Sequence, residues 1–247
     1  MSEKPFVRSS LTPPAGSTRP APSVARSPIL PAPDREFQFS SADFERVREL
    51  IYKHAGISLS PIKQDMVYSR LARRLRARGD RTFAEYLDRA QREPDEWETF
   101  VNSLTTNLTS FFREAHHFDI LAERLKKHGG RPPFRLWCSA ASTGEEPYSL
   151  AITACEAFNT LTPPVQIIAT DIDTNVLATA EKGVYGMDRV DRLSKERMQR
   201  FFLKGTGAQA GFARVRPELQ RLIEFKRINL LDKTWAVQGP FDVMFCR

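Results

Sequence analysis

Three short stretches of this sequence hold residue types that can do chemistry: TTNLTSFFREAHHF (105–118), WCSAASTGEEPYSL (137–150) and ATDIDTNVL (169–177). In the second, the small residues Ser139, Ala140, Ala141, Ser142 and Gly144 follow an apolar run, so a ligand can come close to the backbone. Asp171 ends another apolar run 27 residues after Gly144. An acidic side chain at such a place accepts hydrogen bonds from both ribose hydroxyls of a nucleoside. The glycine turn is not GxGxxG, and Glu145 and Glu146 stand where a dinucleotide pyrophosphate would lie. Two carboxylates repel phosphate. The residues therefore favour a nucleoside without phosphates that carries a cationic group, and S-adenosylmethionine, with a ribose, a sulfonium and an ammonium, fits. On spacing alone the alternative stays open that Asp171 only caps the helix after it.

Those stretches need elements to position them. FRLWCSA (134–140) and VQIIATD (165–171) read as buried strands, EEPYSLAITACEAF and NVLATAEKG as helices, and RLIEFKRINL and PFDVMFCR contain two more strand candidates. Pro132–Pro133 lead into the first strand, and Pro147 is tolerated in a first helical turn. Strand–helix–strand alternation predicts a right-handed, parallel, doubly wound sheet. An insert at about 184–221 interrupts it, and its second half, GTGAQAGFARVR, reads as a glycine-turned hairpin. Upstream, 37–105 reads as helix after helix: DFERVRELIYKHAG, KQDMVYSRLARRLRARG, TFAEYLDRAQ and DEWETFVNSL. Residues 1–36 carry 8 of the 17 prolines and read as a disordered tail.

Composition narrows the class. The 247 residues carry 37 Lys and Arg against 30 Asp and Glu, a net charge of +7 that favours anionic partners without naming them. No apolar run reaches the roughly 18 residues of a membrane span, and the first ten residues lack the apolar core of a secretory signal. Cys138 and Cys155 lie in apolar runs and read as buried free thiols, so the expected compartment is the reducing cytoplasm. The four histidines suggest no metal. His116 and His117 are adjacent, and on a helix they point about 100° apart.

Taken together, TTNLTSFFREAHHF, WCSAASTGEEPYS, ATDIDTNVL, the GTGxxxGxxRVR pattern and GPFDVMFCR closely resemble the CheR family of chemoreceptor glutamate methyltransferases, from about Phe37 to Arg247. The resemblance implies an all-α N-terminal domain (37–105) facing the receptor and a linker helix (106–130). It then implies a Rossmann-like, S-adenosylmethionine-binding α/β domain (131–247) with an inserted antiparallel β subdomain. It implies cofactor contacts from Asn107, Thr109, Arg113, Glu146, Asp171, Asn229, Leu230 and Arg247, with Arg113 the catalytic candidate. Arg113 either orients the acceptor carboxylate or anchors the cofactor's own carboxylate. The family continues after FDxIFC with an Arg-Asn pair, a Tyr and further strands. Of these only Arg247 is present, so the sequence reads as an enzyme cut before its last strands.

Two surfaces are expected to meet the substrate. Residues 63–81 carry seven basic side chains against two acidic ones, and Arg73 and Arg76 lie opposite the apolar stripe Val67, Leu71 and Leu75, with Arg70 flanking it. By resemblance this face docks an acidic receptor helix bundle; otherwise it is a solvated helix face. Gly205, Gly207, Gly211 and Arg214 match the family's β subdomain, which in some members grips a receptor's C-terminal peptide by strand addition. The expected enzyme is a monomer that inserts in no membrane and binds no nucleic acid. Its rivals are a nucleic-acid methyltransferase, for which Tyr68 is the only aromatic on the basic helix, and a receptor-binding module without turnover.

Overall fold

A computed structural model describes residues 35–129 and 134–247 of the chain. The proline-rich stretch up to residue 34, and the Pro132–Pro133 entry to the first strand, lie outside the described residues.

The first helices end where their sequences say. Helix α1 (Ser41–Ala55) opens on a capping box, in which Ser40 Oγ accepts from the Asp43 N–H and the Asp43 carboxylate accepts from the Ser40 N–H. Gly56 closes it in the left-handed region, φ 68°. Helices α2 (Gln64–Arg78), α3 (Phe83–Ala90) and α4 (Pro94–Leu104) follow. Their apolar faces (Phe44, Val47 and Ile51; Val67, Leu71 and Leu75; Phe83 and Leu87; Phe100 and Leu104) form one core. Each fully buried leucine there contributes about 1.5–3 kcal/mol. Within it the Arg74 guanidinium forks onto Glu96 (3.0 and 2.7 Å), and the Tyr86 hydroxyl donates to the same carboxylate at 3.0 Å. Glu36, expected in the tail, is instead paired with Arg76 on α2.

Helix α5 runs only from His116 to His128, so the expected linker helix over 106–130 is shorter at its N-terminal end. Residues 105–115 are a loop, with Phe112 and Glu114 at φ 51° and 56°, which a helix cannot accommodate. Strand β1 (Phe134–Cys138) stops two residues earlier than expected, because the Ser139 N–H turns to the Phe245 carbonyl and the Ala141 N–H to that of Thr170. Then come α6 (Glu145–Ala157), β2 (Val165–Asp171) and α7 (Thr174–Lys182).

The insert holds β3 (Val184–Gly186), α8 (Met187–Val190), α9 (Lys195–Phe201), β4 (Phe202–Lys204), β5 (Phe212–Val215) and α10 (Pro217–Gln220). The expected hairpin over GTGAQAGFARVR is present as β4–β5, but its first strand lies ahead of that stretch and residues 205–211 form the connection. A third antiparallel strand, β3, pairs on the other side of β5 in the order β3-β5-β4. Three residues directly after a helix leave no alternation to read, so β3 was not foreseeable from pattern. Strands β6 (Ile223–Arg227) and β7 (Val243–Phe245) complete the main sheet among the described residues. All its pairs are parallel, in the order β6-β2-β1-β7, with Cys138 opposite Ala169 and Phe245, and Asp171 opposite Arg227. The order reverses between β1 and β7, so the crevice where open α/β sheets take ligands lies beyond the carboxyl ends of β1, β2 and β7.

Candidate functional site at the carboxyl ends of the sheet

The turn after β1 builds the floor of this cleft. Ser142 sits at φ 49°, and its N–H donates to Asp171 Oδ2 at 2.8 Å. Gly144, at φ 98°, leads into α6, and a Cβ there would stand 2.7 Å from the Tyr185 hydroxyl, so only glycine fits. Helix α6 then places Glu145 and Glu146 in its first turn, where the helix dipole favours negative charge. The neighbours part at once. Glu145, fully buried, pairs with Arg189 of the insert and accepts from Thr143 Oγ1 at 2.6 Å. Glu146 accepts from the Cys138 thiol at 3.2 Å and from Arg247 Nε at 2.5 Å. Cys138 is therefore a buried free thiol in the apolar core, as expected, with its S–H turned onto the Glu146 carboxylate. Burial first, and then Glu146, push its pKa well above that of a free thiol.

Asp171 accepts the Ser142 N–H on one oxygen and the Asp173 N–H, at 3.0 Å, on the other. Burial raises its pKa, and those two N–H groups oppose the rise. Each oxygen keeps a lone pair for a ligand. Asp173 caps α7 by accepting from the N–H groups of Asn175 and Val176. Its other oxygen accepts from Thr105 Oγ1 (2.5 Å) and Asn107 Nδ2 (2.9 Å). The Asn107 carbonyl in turn accepts from Ser142 Oγ at 3.3 Å. Asp173 was not singled out from sequence, although an Asp just ahead of a helical pattern is a capping signal.

Arg113 is exposed and donates to the Leu108 carbonyl at 2.9 Å. Arg247 joins this loop to the strand ends: besides Glu146 it reaches the Arg113 carbonyl (2.9 Å) and the Glu114 carboxylate (3.0 Å). Asn107, Arg113, Glu146, Asp171 and Arg247 thus belong to one web of contacts around the cleft. Thr109 is half-buried in the same loop. Asn229 turns its amide away, donating to the His54 carbonyl of α1 at 2.5 Å and accepting from the Leu231 N–H at 3.0 Å. Leu230 beside it is 44% exposed.

The donor set suits the cationic nucleoside expected from the sequence. Asp171 offers acceptors for a diol, Glu146 a carboxylate for a cation, and Arg113 a guanidinium for a carboxylate. The two glutamates in the first turn of α6 would meet a phosphate with repulsion.

The expected substrate surfaces are more mixed. Arg73 is exposed and has no partner among the described residues, whereas Arg76 is held by Glu36. Arg70 departs from the expectation of a docking residue: its guanidinium turns inward and donates to the last carbonyls of α4, Ser103 (3.1 Å) and Thr105 (2.6 Å). In the insert, a Cβ on Gly205 would meet the Gln209 carbonyl at 2.0 Å, while Gly207 and Gly211 have φ of 56° and 89°. Arg214 is exposed on β5 and, with Leu203 and Phe212, lines a cavity of about 340 Å³. No helix among the described residues is long and apolar enough to cross a membrane.

Comparison with known proteins shows the family. Residues 42–105 match the family described as CheR methyltransferase, all-alpha domain, and residues 107–247 match CheR methyltransferase, SAM binding domain. The chain is similar to Chemotaxis protein methyltransferase 2 of Pseudomonas aeruginosa, 50% identical over 227 residues that cover 92% of this chain and 80% of that one. It is also similar to the Chemotaxis protein methyltransferase of Salmonella typhimurium, at 48% over 232 residues, 93% of this chain and 80% of the relative. The Escherichia coli protein of the same name is 47% identical over 210 residues, 84% and 73% of the two chains. With a cleft whose donors suit S-adenosylmethionine and both parts of the chain matched, this protein belongs to the CheR methyltransferase family.

Proposed function

We propose that this cleft serves methyl transfer from S-adenosylmethionine to glutamate side chains of chemoreceptors, giving γ-glutamyl methyl esters. The observation that carries the reading is the placement of two carboxylates, the buried Glu146 in the first turn of α6 and the half-buried Asp171 at the end of β2, with Arg247 tying Glu146 to the backbone of Arg113. S-adenosylmethionine supplies an electrophilic methyl carbon on a cationic sulfur. Asp171 takes the ribose hydroxyls and Glu146 the cationic end, while Asn107, Thr109, Asn229, Leu230 and Arg247 shape the pocket. The acceptor needs no general base, because a glutamate with a pKa near 4.3 is already ionised at neutral pH. One carboxylate oxygen bonds to the methyl carbon as the carbon–sulfur bond breaks, and no proton moves. Rate then comes from holding the carboxylate at a near-attack distance of about 3–3.5 Å in a site that excludes water.

The acceptor glutamate lies on an acidic helical surface that meets α2 through Arg73 and Arg76. The free edge of β4, with Arg214 near a terminal carboxylate, adds a receptor tail peptide as a further strand. The enzyme works as a cytoplasmic monomer. Radiolabelled methyl transfer tests the reaction: base-labile label on receptor membranes is the expected result, and base-stable label in RNA overturns it. Substituting Arg113→Ala tests its role. Weaker S-adenosylhomocysteine binding puts the guanidinium on the cofactor, whereas unchanged binding with slower transfer puts it on the acceptor. A receptor tail peptide that shows no binding at millimolar concentration removes the tether.

A further inference from the structure

Arg113 is presented by an unusual piece of backbone. Both of its neighbours, Phe112 and Glu114, are in the left-handed region, at φ 51° and 56°. Neither is a glycine, so the conformation persists only where surrounding contacts over-determine it. Glu114 is held by Arg247. Phe112 is held from elsewhere. Its N–H donates to Ser149 Oγ at 3.0 Å, and its ring lies edge-on to Phe118, centroids 5.0 Å apart. On the ring sits the guanidinium of Arg197, 3.8 Å from the centroid.

Arg197 comes from α9, inside the insert. Its plane is not free to tilt, because Nε and a terminal nitrogen fork onto the Glu156 carboxylate of α6 at 2.8 and 2.9 Å. The insert touches the other wall of the cleft as well. Arg189 of α8 pairs with the buried Glu145, next to Glu146, and the Tyr185 hydroxyl donates to the Thr143 carbonyl at 2.8 Å. Two parts of the insert therefore brace two walls of one pocket.

We propose that Arg197 is a positioning residue for the cofactor pocket: locked by Glu156, it pins Phe112 in its left-handed conformation and so aims Arg113, which makes the insert a brace of the methyl-transfer site. The proposal rests on the reading of the cleft as the cofactor site, and the experiment separates the two. Amide hydrogen exchange over residues 110–114 and S-adenosylhomocysteine affinity by calorimetry are measured on the full chain. They are compared among wild type, Arg197→Ala, Arg197→Lys and Arg200→Ala, the last lying on the same helix and bonded to Asn159.

In Arg197→Ala, exchange over 110–114 is expected to rise about tenfold. Affinity is expected to fall about tenfold, because a displaced guanidinium loses its aim. The lysine variant keeps the charge beside Glu156 but lacks the planar fork, so it recovers less than half of either effect. Arg200→Ala leaves both unchanged. Should the alanine variant unfold, the lysine variant carries the test. Unaltered exchange or unaltered affinity in Arg197→Ala, or full recovery of both readouts in Arg197→Lys, overturns the proposal. Absence of S-adenosylhomocysteine binding in the wild type overturns the cofactor reading instead, and the exchange measurement still decides whether Arg197 holds the loop.

Discussion

The helical region and the α/β region both bury charge, but they use it differently. In the helices, Glu96 lies under the fork of Arg74 with the Tyr86 hydroxyl on one oxygen, and every partner comes from the same bundle. That carboxylate is consumed in tying α2, α3 and α4 together. Beyond β1, six of the nine buried polar side chains among the described residues lie at or just after strand ends: Ser139, Ser142, Glu145, Glu146, Thr170 and Asp173. Their partners come from different elements: Glu146 is shared between Cys138 and Arg247, and the half-buried Asp171 accepts only two backbone N–H groups. The difference teaches how to tell a structural carboxylate from a site carboxylate. A structural one is answered completely within its own packing unit, and a site one is answered partly, from several directions.

Breaking that contrast is the most direct test. Substituting Glu96→Ala leaves the buried Tyr86 hydroxyl and the partly exposed Arg74 guanidinium without their shared acceptor, and the expected loss of stability is about 1–3 kcal/mol, read by urea unfolding. Cofactor affinity in the remaining folded protein should be unchanged; a parallel loss of both would erase the distinction. On the other side, Asp171→Asn keeps the shape and removes the charge. We expect S-adenosylhomocysteine binding to weaken about 100-fold, as for a lost charged hydrogen-bond partner, and stability to fall by about 1–3 kcal/mol, because the new NH2 faces one of the two backbone N–H groups that Asp171 accepts. Calorimetry checks the first part and thermal melting the second.

Charge reversal on the helix face comes next in size. Arg73→Glu together with Arg76→Glu should lower receptor methylation about tenfold at low salt, less at high salt, with cofactor affinity intact. Equal loss of cofactor binding would remove that face from the substrate surface. The smallest effect is a pH dependence where the two regions meet. Burial, and the nearby Arg227, hold His54 below the ordinary histidine pKa, and its ring is edge-on to Trp97, which donates to Nδ1 at 3.3 Å. The unfolded chain takes up that proton first, near pH 6.5, so stability is present above that pH and is lost as the pH falls through the folded value. A His54→Gln variant should show a shallower fall in melting temperature between pH 7 and 5.5, and an identical slope would discharge the histidine from this role.

Much of this was readable from the residues. Helix ends at Gly56 and Gly79 and the apolar stripes of α1 and α2 follow from local rules, since capping and periodicity act within a few residues. The strand ends and their chemistry were legible for the same reason, because small residues and acidic side chains stand directly after apolar runs. The turn of Arg70 toward α4 was not legible, because a helical wheel gives direction but not what lies in that direction. Nor was the short strand β3, whose partner Phe212–Val215 lies some 28 residues along the chain.

By itself the sequence determined the helices of the N-terminal region, the four strands of the main sheet, the carboxylates offered to a cationic nucleoside and the family resemblance. Each of these depends on residue identity and short spacing. Only the tertiary structure decided which partners the two adjacent glutamates take. Glu145 is drawn to Arg189 in the insert and Glu146 to Arg247 after β7, partners 44 and 101 residues away. Ion pairing of that kind is set by where packing brings the chain back, and local spacing carries no record of it.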